Sequence, residues 1–268
     1  MTALAAVSSI ATLISFLSKW DEHKLSNLSL ELLSLGIIGV CLIYAMIMMI
    51  EKSRIRLSLK PRFEITIEKG DLFRKSGVIV IPVNEYFDTI VNDIIISPTS
   101  LHGKWITKYW SGRIAELDDL ITKELDKTTE GVIVDRKVGK MNKYELGTCI
   151  SIRVPDDDNI YVLFALTHFD KDNHAYLEHT EFPIVLDKLL AYLENLGTDR
   201  RIYMPLFGTG LSRLNRSPQR ILTFMLDAMD FKHSNLSFPH GLYIELYSLN
   251  NINLNQIEDI FLSNIHQA

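Results

Sequence analysis

The chain has 268 residues, a formal net charge of −5 and a hydrophobic content of 47%. A net negative charge argues against nucleic acid as a partner, because the phosphate backbone attracts basic proteins. Two cysteines, Cys41 and Cys149, are too few for a metal cluster or a disulfide framework, and they suit a reducing compartment. The length suits one domain of good size with an appendage.

Two apolar runs open the chain, and we predict them as membrane spans at residues 2–18 and 28–50. The second run contains Leu32–Ile50, nineteen residues without a charge. As a helix this stretch is about 28 Å long, close to the hydrocarbon thickness of a bilayer. The first run is shorter and rich in Ala and Ser, so a re-entrant or interfacial helix stays open as an alternative. Residues 1–52 are thus predicted as a two-helix transmembrane hairpin.

A basic segment directly follows the second run. Its positive residues are Lys52, Arg54, Arg56, Lys60 and Arg62. The positive-inside rule therefore predicts a multi-pass protein of the inner membrane with its C-terminal domain in the cytoplasm. Residues 53–61 are predicted as a basic linker and residues 62–268 as a nucleotide-binding domain.

The C-terminal part alternates strand and helix patterns. Predicted strands cover Phe63–Glu68, Gly77–Val83, Leu146–Arg153, Ile160–Thr167, Ile202–Leu206 and Leu242–Leu246. Predicted helices cover Ile114–Leu125, Pro183–Leu196 and Pro218–Met229. This order predicts a mixed α/β sheet with helices on both faces, in which ligands bind beyond the carboxyl ends of the strands.

Three motifs lie at those strand ends. They are Gly70-Asp71-Leu72-Phe73, Val80–Asn84 and Pro205–Leu211, the last with a Gly-x-Gly turn. Glycines at a strand end let backbone N–H groups converge on an anion without a cationic side chain. Together the motifs indicate a pocket for a nucleotide diphosphate.

In this order the motifs resemble those of a macro domain, the ADP-ribose-binding module, over roughly residues 62–250. The first is similar to the family's Gly-Asp-Ile segment, the second to its strand ending in Asn, and the third to its Pro-x-x-Gly-x-Gly loop. The resemblance implies an α/β fold, a macro-domain-like mixed sheet flanked by helices, preceded here by the hairpin. The expected ligand is an ADP-ribose derivative, with no other cofactor.

The resemblance also implies roles for individual residues. Asp71 matches the acidic residue that accepts from the adenine amino group, Asn84 the residue near the distal ribose, and Tyr247 an aromatic residue that covers adenine. Segment 97–104 occupies the place of a second glycine-bearing loop, although it departs from the usual Gly-Gly-Val pattern. The predicted ligand-binding residues are Asp71, Leu72, Asn84, Ser100, Leu101, His102, Gly103, Phe207, Gly208, Thr209, Gly210, Leu211, Ser212 and Tyr247.

Each of the three single-residue assignments has a structural alternative. Asp71 could cap a turn, Asn84 could be a polar strand end, and Tyr247 could pack in the core. Three histidines, His168, His174 and His179, lie close together in sequence but lack regular ligand spacing. A mobile polar loop explains them better than a metal site, and no metal and no catalytic residue is predicted.

The combination of two membrane helices and a divergent macro domain resembles the membrane effectors of type II Thoeris anti-phage defence. The resemblance implies a partner TIR-domain enzyme that consumes NAD and makes histidine-ADP-ribose. Binding of that signal would trigger homo-oligomerisation, membrane disruption and abortive infection. The chain is therefore expected to be a sensor rather than an enzyme. A membrane-tethered ADP-ribosyl hydrolase and a membrane-anchored nucleotide-binding scaffold remain alternatives.

Overall fold

The computed structural model describes residue 15 and residues 27–49, 52–60, 63–208, 216–232 and 238–265. Contacts divide the chain into two compact units, Met1–Lys52 and Ser53–Ala268. The predicted first span, residues 2–18, lies outside the described residues apart from Ser15.

The first unit contains helix α1, Asn27–Met49. The sequence of its first turns includes the polar residues Asn27, Glu31 and Ser34. Within the described residues, no helix is both long enough and apolar enough to cross a membrane. The transmembrane hairpin is therefore not confirmed, and the predicted multi-pass localisation in the inner membrane is contradicted.

The second unit is built from short strands and amphipathic helices. The strands are β1 (Arg54–Lys60), β2 (Phe63–Lys69), β3 (Val78–Asn84), β4 (Val132–Ile133), β5 (Asn142–Lys143), β6 (Cys149–Arg153), β7 (Ile160–Phe169), β8 (Ala175–Tyr176), β9 (Ile202–Pro205) and β10 (Leu242–Leu246). The helices are α2 (Leu101–Tyr109), α3 (Ile114–Thr128), α4 (Phe182–Asn195), α5 (Pro218–Lys232) and α6 (Leu254–Ile265), with a 3-10 turn at Leu72–Arg74.

The main sheet has the strand order β1-β2-β10-β9-β3-β7-β6, with β8 paired to β7. Strands β2, β10, β9, β3 and β7 run parallel, whereas β1 and β6 are antiparallel to their neighbours. Since parallel strands end at one edge, the ends of β3, β7, β9 and β10 lie together. The predicted mixed sheet is confirmed.

Both faces of the sheet are buried, which explains the continuous apolar sequence of β3. Val78 and Val80 pack into a core cluster with side chains of α4, α5 and α6. Ile79 and Ile81 pack into a second cluster with Trp105 of α2 and with α3. A strand covered on both faces needs apolar side chains at every position. The structure is therefore a three-layer arrangement of helices, sheet and helices.

The structure differs from the expectation at the start of this unit. Residues 54–60, expected as basic linker, form β1, which pairs antiparallel with β2. Its alternation explains this pairing: Ile55 and Leu57 are buried, while Arg54 and Arg56 face outward and form ion pairs with Glu68 and Glu64, respectively. The basic residues of this segment thus belong to an edge strand.

Candidate functional site

A cleft of about 900 Å³ lies at the carboxyl ends of the parallel strands. Pockets of this size commonly hold a small organic ligand. Seven of the predicted residues line it: Asn84, Ser100, Leu101, His102, Phe207, Gly208 and Tyr247. Asp71, Leu72 and Gly103 lie outside the lining, and Thr209, Gly210, Leu211 and Ser212 lie outside the described residues. The structure therefore brings together three of the four predicted segments.

Asn84 ends β3 and is 4% exposed. Its Oδ1 accepts from the backbone N–H of Tyr86 at 2.9 Å and of Asp88 at 3.4 Å. This pairing fixes the orientation of the amide, so the group that Asn84 can offer to a ligand is its NH₂ donor. A donor suits hydroxyl or phosphate oxygens.

Two backbone segments face the middle of the cleft. The turn after β9 carries Gly208 with φ of 81°, a conformation that favours glycine. On the other side, α2 begins after Ser100, whose Oγ accepts from the N–H of Gly103 at 2.9 Å. The N–H groups of Leu101 and His102, at the first two helical positions, have no intrahelical acceptor. Both segments can therefore bind an anion.

His102 lines the cleft at the first turn of α2. Its ring lies 6.4 Å from that of Trp105 in a stacked arrangement, which holds its orientation. Burial, and secondarily the charge of Lys140, lowers the pKa of His102 to about 3. Nε2 is enclosed and has no hydrogen-bond partner within the described part of the chain. His102 is therefore a neutral imidazole at physiological pH.

One end of the cleft carries Tyr247, just beyond β10. The structure leaves this side chain 83% exposed, so it is not packed in the core. Lys104 of α2 lies across it, with Nζ 5.3 Å from the ring centroid. An exposed aromatic face at a cleft can stack on a planar base.

The Gly70-Asp71-Leu72 motif serves local structure. Asp71 Oδ1 accepts from the N–H of Phe73 at 3.0 Å and caps the 3-10 turn, while Leu72 is buried in the core. This geometry matches the turn-capping alternative for Asp71, and its assignment to adenine stays a prediction. Gly70 packs directly against Glu245, so a Cβ at position 70 would overlap Glu245 Oε2.

Glu245 is an acidic group near Tyr247 that the sequence analysis did not predict as a site residue. It lies on β10, lines the cleft, and has a side chain that is 1% exposed. Lys75 Nζ lies 2.9 Å from its Oε1 and also pairs with Glu68 at 2.5 Å. Burial raises the pKa of Glu245 to about 7, against the opposing effect of Lys75. The alternating pattern of β10 could have indicated Glu245, because it places Tyr243, Glu245 and Tyr247 on one face of the strand.

A hydrogen-bonded network supports the opposite end of the cleft. His168 Nδ1 lies 2.5 Å from Glu85 Oε2, and its Nε2 lies 3.0 Å from Glu181 Oε1. Glu85 is fully buried and also accepts from the N–H of Phe169, a cleft residue. The hydrogen bond to Glu85 raises the pKa of His168. The network ties the end of β7 to the turn that precedes α4.

We expect His168→Gln to destabilise the protein more at pH 6 than at pH 8.5. The protonated imidazole stabilises the folded state below the ordinary histidine pKa of about 6.5, and this contribution disappears as the pH rises through the raised pKa. The expected difference is on the order of 1 kcal/mol, measured by urea unfolding at both pH values. His179→Gln, which removes an exposed histidine, serves as the control. A pH-independent loss for His168→Gln would contradict the assignment.

The three histidines that lie close together in sequence, His168, His174 and His179, do not form one cluster. His168 belongs to the Glu85 network, His174 pairs with Asp170 at 3.2 Å, and His179 is exposed. Ligand atoms of Asp170, Asp172 and His174 lie within 4.8 Å of one another, but all three residues are exposed. Asp170 already accepts from the N–H groups of the other two, which accounts for the cluster as a turn. The expectation of no metal stays a prediction.

Comparisons with known proteins agree with this architecture. The family model described as Thoeris protein ThsA, Macro domain, matches residues 65–247. The Thoeris protein ThsA of Bacillus amyloliquefaciens (strain Y2) is 32% identical over 214 residues, which cover 78% of this chain and 69% of that protein.

Two solved structures are similar in fold. The Oceanobacillus iheyensis macrodomain with ADP has a TM-score of 0.53 at 11% identity, covering 80% of this chain and 97% of that one. A mutant of the same macrodomain with ADPR has the same TM-score and identity, covering 80% of this chain and 100% of that one. At such low identity the likeness concerns the fold alone. The predicted macro-domain fold is confirmed.

Proposed function

The chain belongs to the ThsA macro-domain family of Thoeris proteins, and we propose that its cleft binds an ADP-ribose-derived signal. The observation that carries the proposal is the position of the cleft, where Asn84, Gly208, the start of α2 and Tyr247 meet at the strand ends. The donor amide of Asn84 suits a ribose hydroxyl, and the two backbone segments suit a diphosphate. The exposed ring of Tyr247 suits a planar base. The Oceanobacillus macrodomain, which shares the fold, was solved with ADP and with ADPR.

The proposed signal is histidine-ADP-ribose, made by a partner TIR-domain enzyme that consumes NAD. The cleft extends past Asn84 to Phe169, Asn173 and His174, which lie beside the β7–β8 turn. This extension offers room and polar groups for a substituent beyond the distal ribose. Arg136 supports it, because Nη2 donates to Asn173 Oδ1 at 2.7 Å and the guanidinium lies 3.8 Å from the ring centre of Tyr86.

The proposed activity is binding without turnover. Two titratable side chains of the described lining are enclosed, because burial holds His102 neutral and Glu245 lies beside Lys75. A third, His174, is exposed and paired with Asp170. The enclosure of the two buried groups away from open solvent favours a sensor over a hydrolase. Bilayer disruption, which depended on the expected membrane hairpin, forms no part of this proposal.

The proposed output is homo-oligomerisation. A ligand can drive assembly only if it binds the assembling conformation more tightly than the resting one. Helix α1 offers exposed apolar side chains for such contacts, among them Leu35, Val40, Leu42 and Met46. Large apolar patches of this kind commonly mark association surfaces.

Titration of the full chain with ADP-ribose and histidine-ADP-ribose tests this function. We expect the histidine form to bind about tenfold more tightly, to remain intact by mass spectrometry, and to raise the particle mass in light scattering. Release of ADP-ribose from the histidine form would favour the hydrolase alternative. Absence of binding by both compounds would reject the proposed function.

A further inference from the structure

Lys104 stands out among the residues of the cleft because of its charge. Within the described lining, it is the only lysine or arginine. It is exposed on α2, one turn after Leu101, so the two side chains share the cleft-facing side of the helix. Trp105, the next residue, is fully buried against the sheet and anchors this part of the helix.

The ammonium group of Lys104 lies at the end of the cleft that carries Tyr247. Its Nζ lies 5.3 Å from the ring centroid of Tyr247, which belongs to the opposite wall. A lysine over a tyrosine face is a cation–π contact of modest strength when exposed. This contact restricts the long side chain without neutralising its charge, so the charge remains available to an anion.

Three lysines near the cleft differ from Lys104, because each is paired with a carboxylate. Their partners are Glu245 and Glu68 for Lys75, Asp118 for Lys140, and Glu85 for Lys143. Lys104 forms no ion pair with any residue that the structure describes. The described lining therefore holds one lysine that no described carboxylate neutralises.

We infer that Lys104 binds the diphosphate of the ligand, as a cation added to the backbone N–H groups of the α2 start and the Gly208 turn. The inference rests on the proposed function, because it takes the ligand to contain a diphosphate. An ammonium group attracts a diphosphate with a strength that falls as salt screens the charges. Its position next to Tyr247 places it between the base and the middle of the cleft, where the diphosphate of a stacked nucleotide lies.

Salt-dependent binding tests the role of Lys104. The full chain and its Lys104→Gln variant are titrated with ADP-ribose at about 50 mM and 500 mM NaCl. We expect the variant to bind about tenfold more weakly at low salt and to approach the wild type at high salt, because a partly exposed charge contact is screened. Equal affinities and equal salt dependence of the two proteins would overturn the inference.

Two controls separate a charge effect from a structural one. Lys108→Gln removes a lysine one turn further along α2, whose Nζ donates to Phe73 O at 3.3 Å outside the cleft. This variant should bind as the wild type does. Adenosine, which has no phosphate, should bind the wild type and Lys104→Gln equally.

The outcomes distinguish this inference from the function on which it rests. A loss of adenosine binding in Lys104→Gln would mean that the residue only positions Tyr247, and would overturn a phosphate role. Failure of the wild-type chain to bind ADP-ribose would instead reject the proposed function.

Discussion

The Gly208→Glu variant is expected to lose at least about 100-fold in affinity for ADP-ribose while remaining folded. Gly208 has φ of 81°, where any side chain costs about 1–2 kcal/mol, and it lines the same cleft as the start of α2. A carboxylate there would also repel the diphosphate at short range. Calorimetry of the variant chain with ADP-ribose measures the loss.

A matched control separates backbone strain from the site. Gly112 has φ of 77°, and a Cβ there would meet no atom within 4 Å. Gly112→Glu thus introduces the same charge and nearly the same strain outside the cleft. It should bind ADP-ribose as the wild type does. Equal losses in both variants would contradict a local role for the Gly208 turn.

Gly70→Ala is expected to lower the free energy of unfolding by about 1–3 kcal/mol, the usual cost of overpacking. The new Cβ would overlap Glu245 Oε2 and would lie 3.3 Å from Lys75 Cε. Glu245 cannot swing into solvent readily, because its side chain is 1% exposed and ion-paired with Lys75. Urea unfolding of the wild type and the variant measures the difference.

A double-mutant cycle with Glu245→Ala identifies the cause. Removing the carboxylate leaves Lys75 paired with Glu68 and makes room for the Cβ. In that background Gly70→Ala should cost less than about 0.5 kcal/mol, so the two changes should couple strongly. If the cost of Gly70→Ala stays the same in both backgrounds, the close contact with Glu245 is not its cause.

The parallel core of the fold was predictable because its signals are local. The apolar run of β3 and the proline-led helices α4 and α5 appear where they were expected, within a few residues. Helix α6 was not predicted, although Asn253 caps it, accepting from the N–H of Gln256 at 3.0 Å. The helical spacing of its apolar residues, which include Leu254, Ile257 and Phe261, is also visible in the sequence.

Other features could not be predicted, because they depend on contacts between distant segments. The basic residues around Arg54 and Arg56 suit a membrane flank as well as an edge strand, and only pairing with β2 distinguishes them. Helix α2 contains Gly103 and lacks a strong helical pattern, and its stability comes from burial of Trp105. The long uncharged run before residue 50 led to the wrong localisation.

The candidate site was predictable in part. Asn84 and Gly208 follow from motifs at strand ends, and Tyr247 follows from the resemblance to macro domains. The topology brings all three to one cleft. Glu245 was missed because its burial beside Gly70 depends on the pairing of β10 with β2. Lys104 was missed as a site residue because the absence of an ion-pair partner within the described residues is a property of the folded chain.

The central claim is that the cleft binds an ADP-ribose-type nucleotide. Calorimetric titration of the full chain with ADP-ribose, alongside AMP and ribose 5-phosphate, tests it most directly. We predict one site per chain with a dissociation constant on the order of micromolar or tighter, about −8 kcal/mol, and much weaker binding of either fragment. No detectable binding of ADP-ribose, or binding that Gly208→Glu leaves unchanged, would contradict the account.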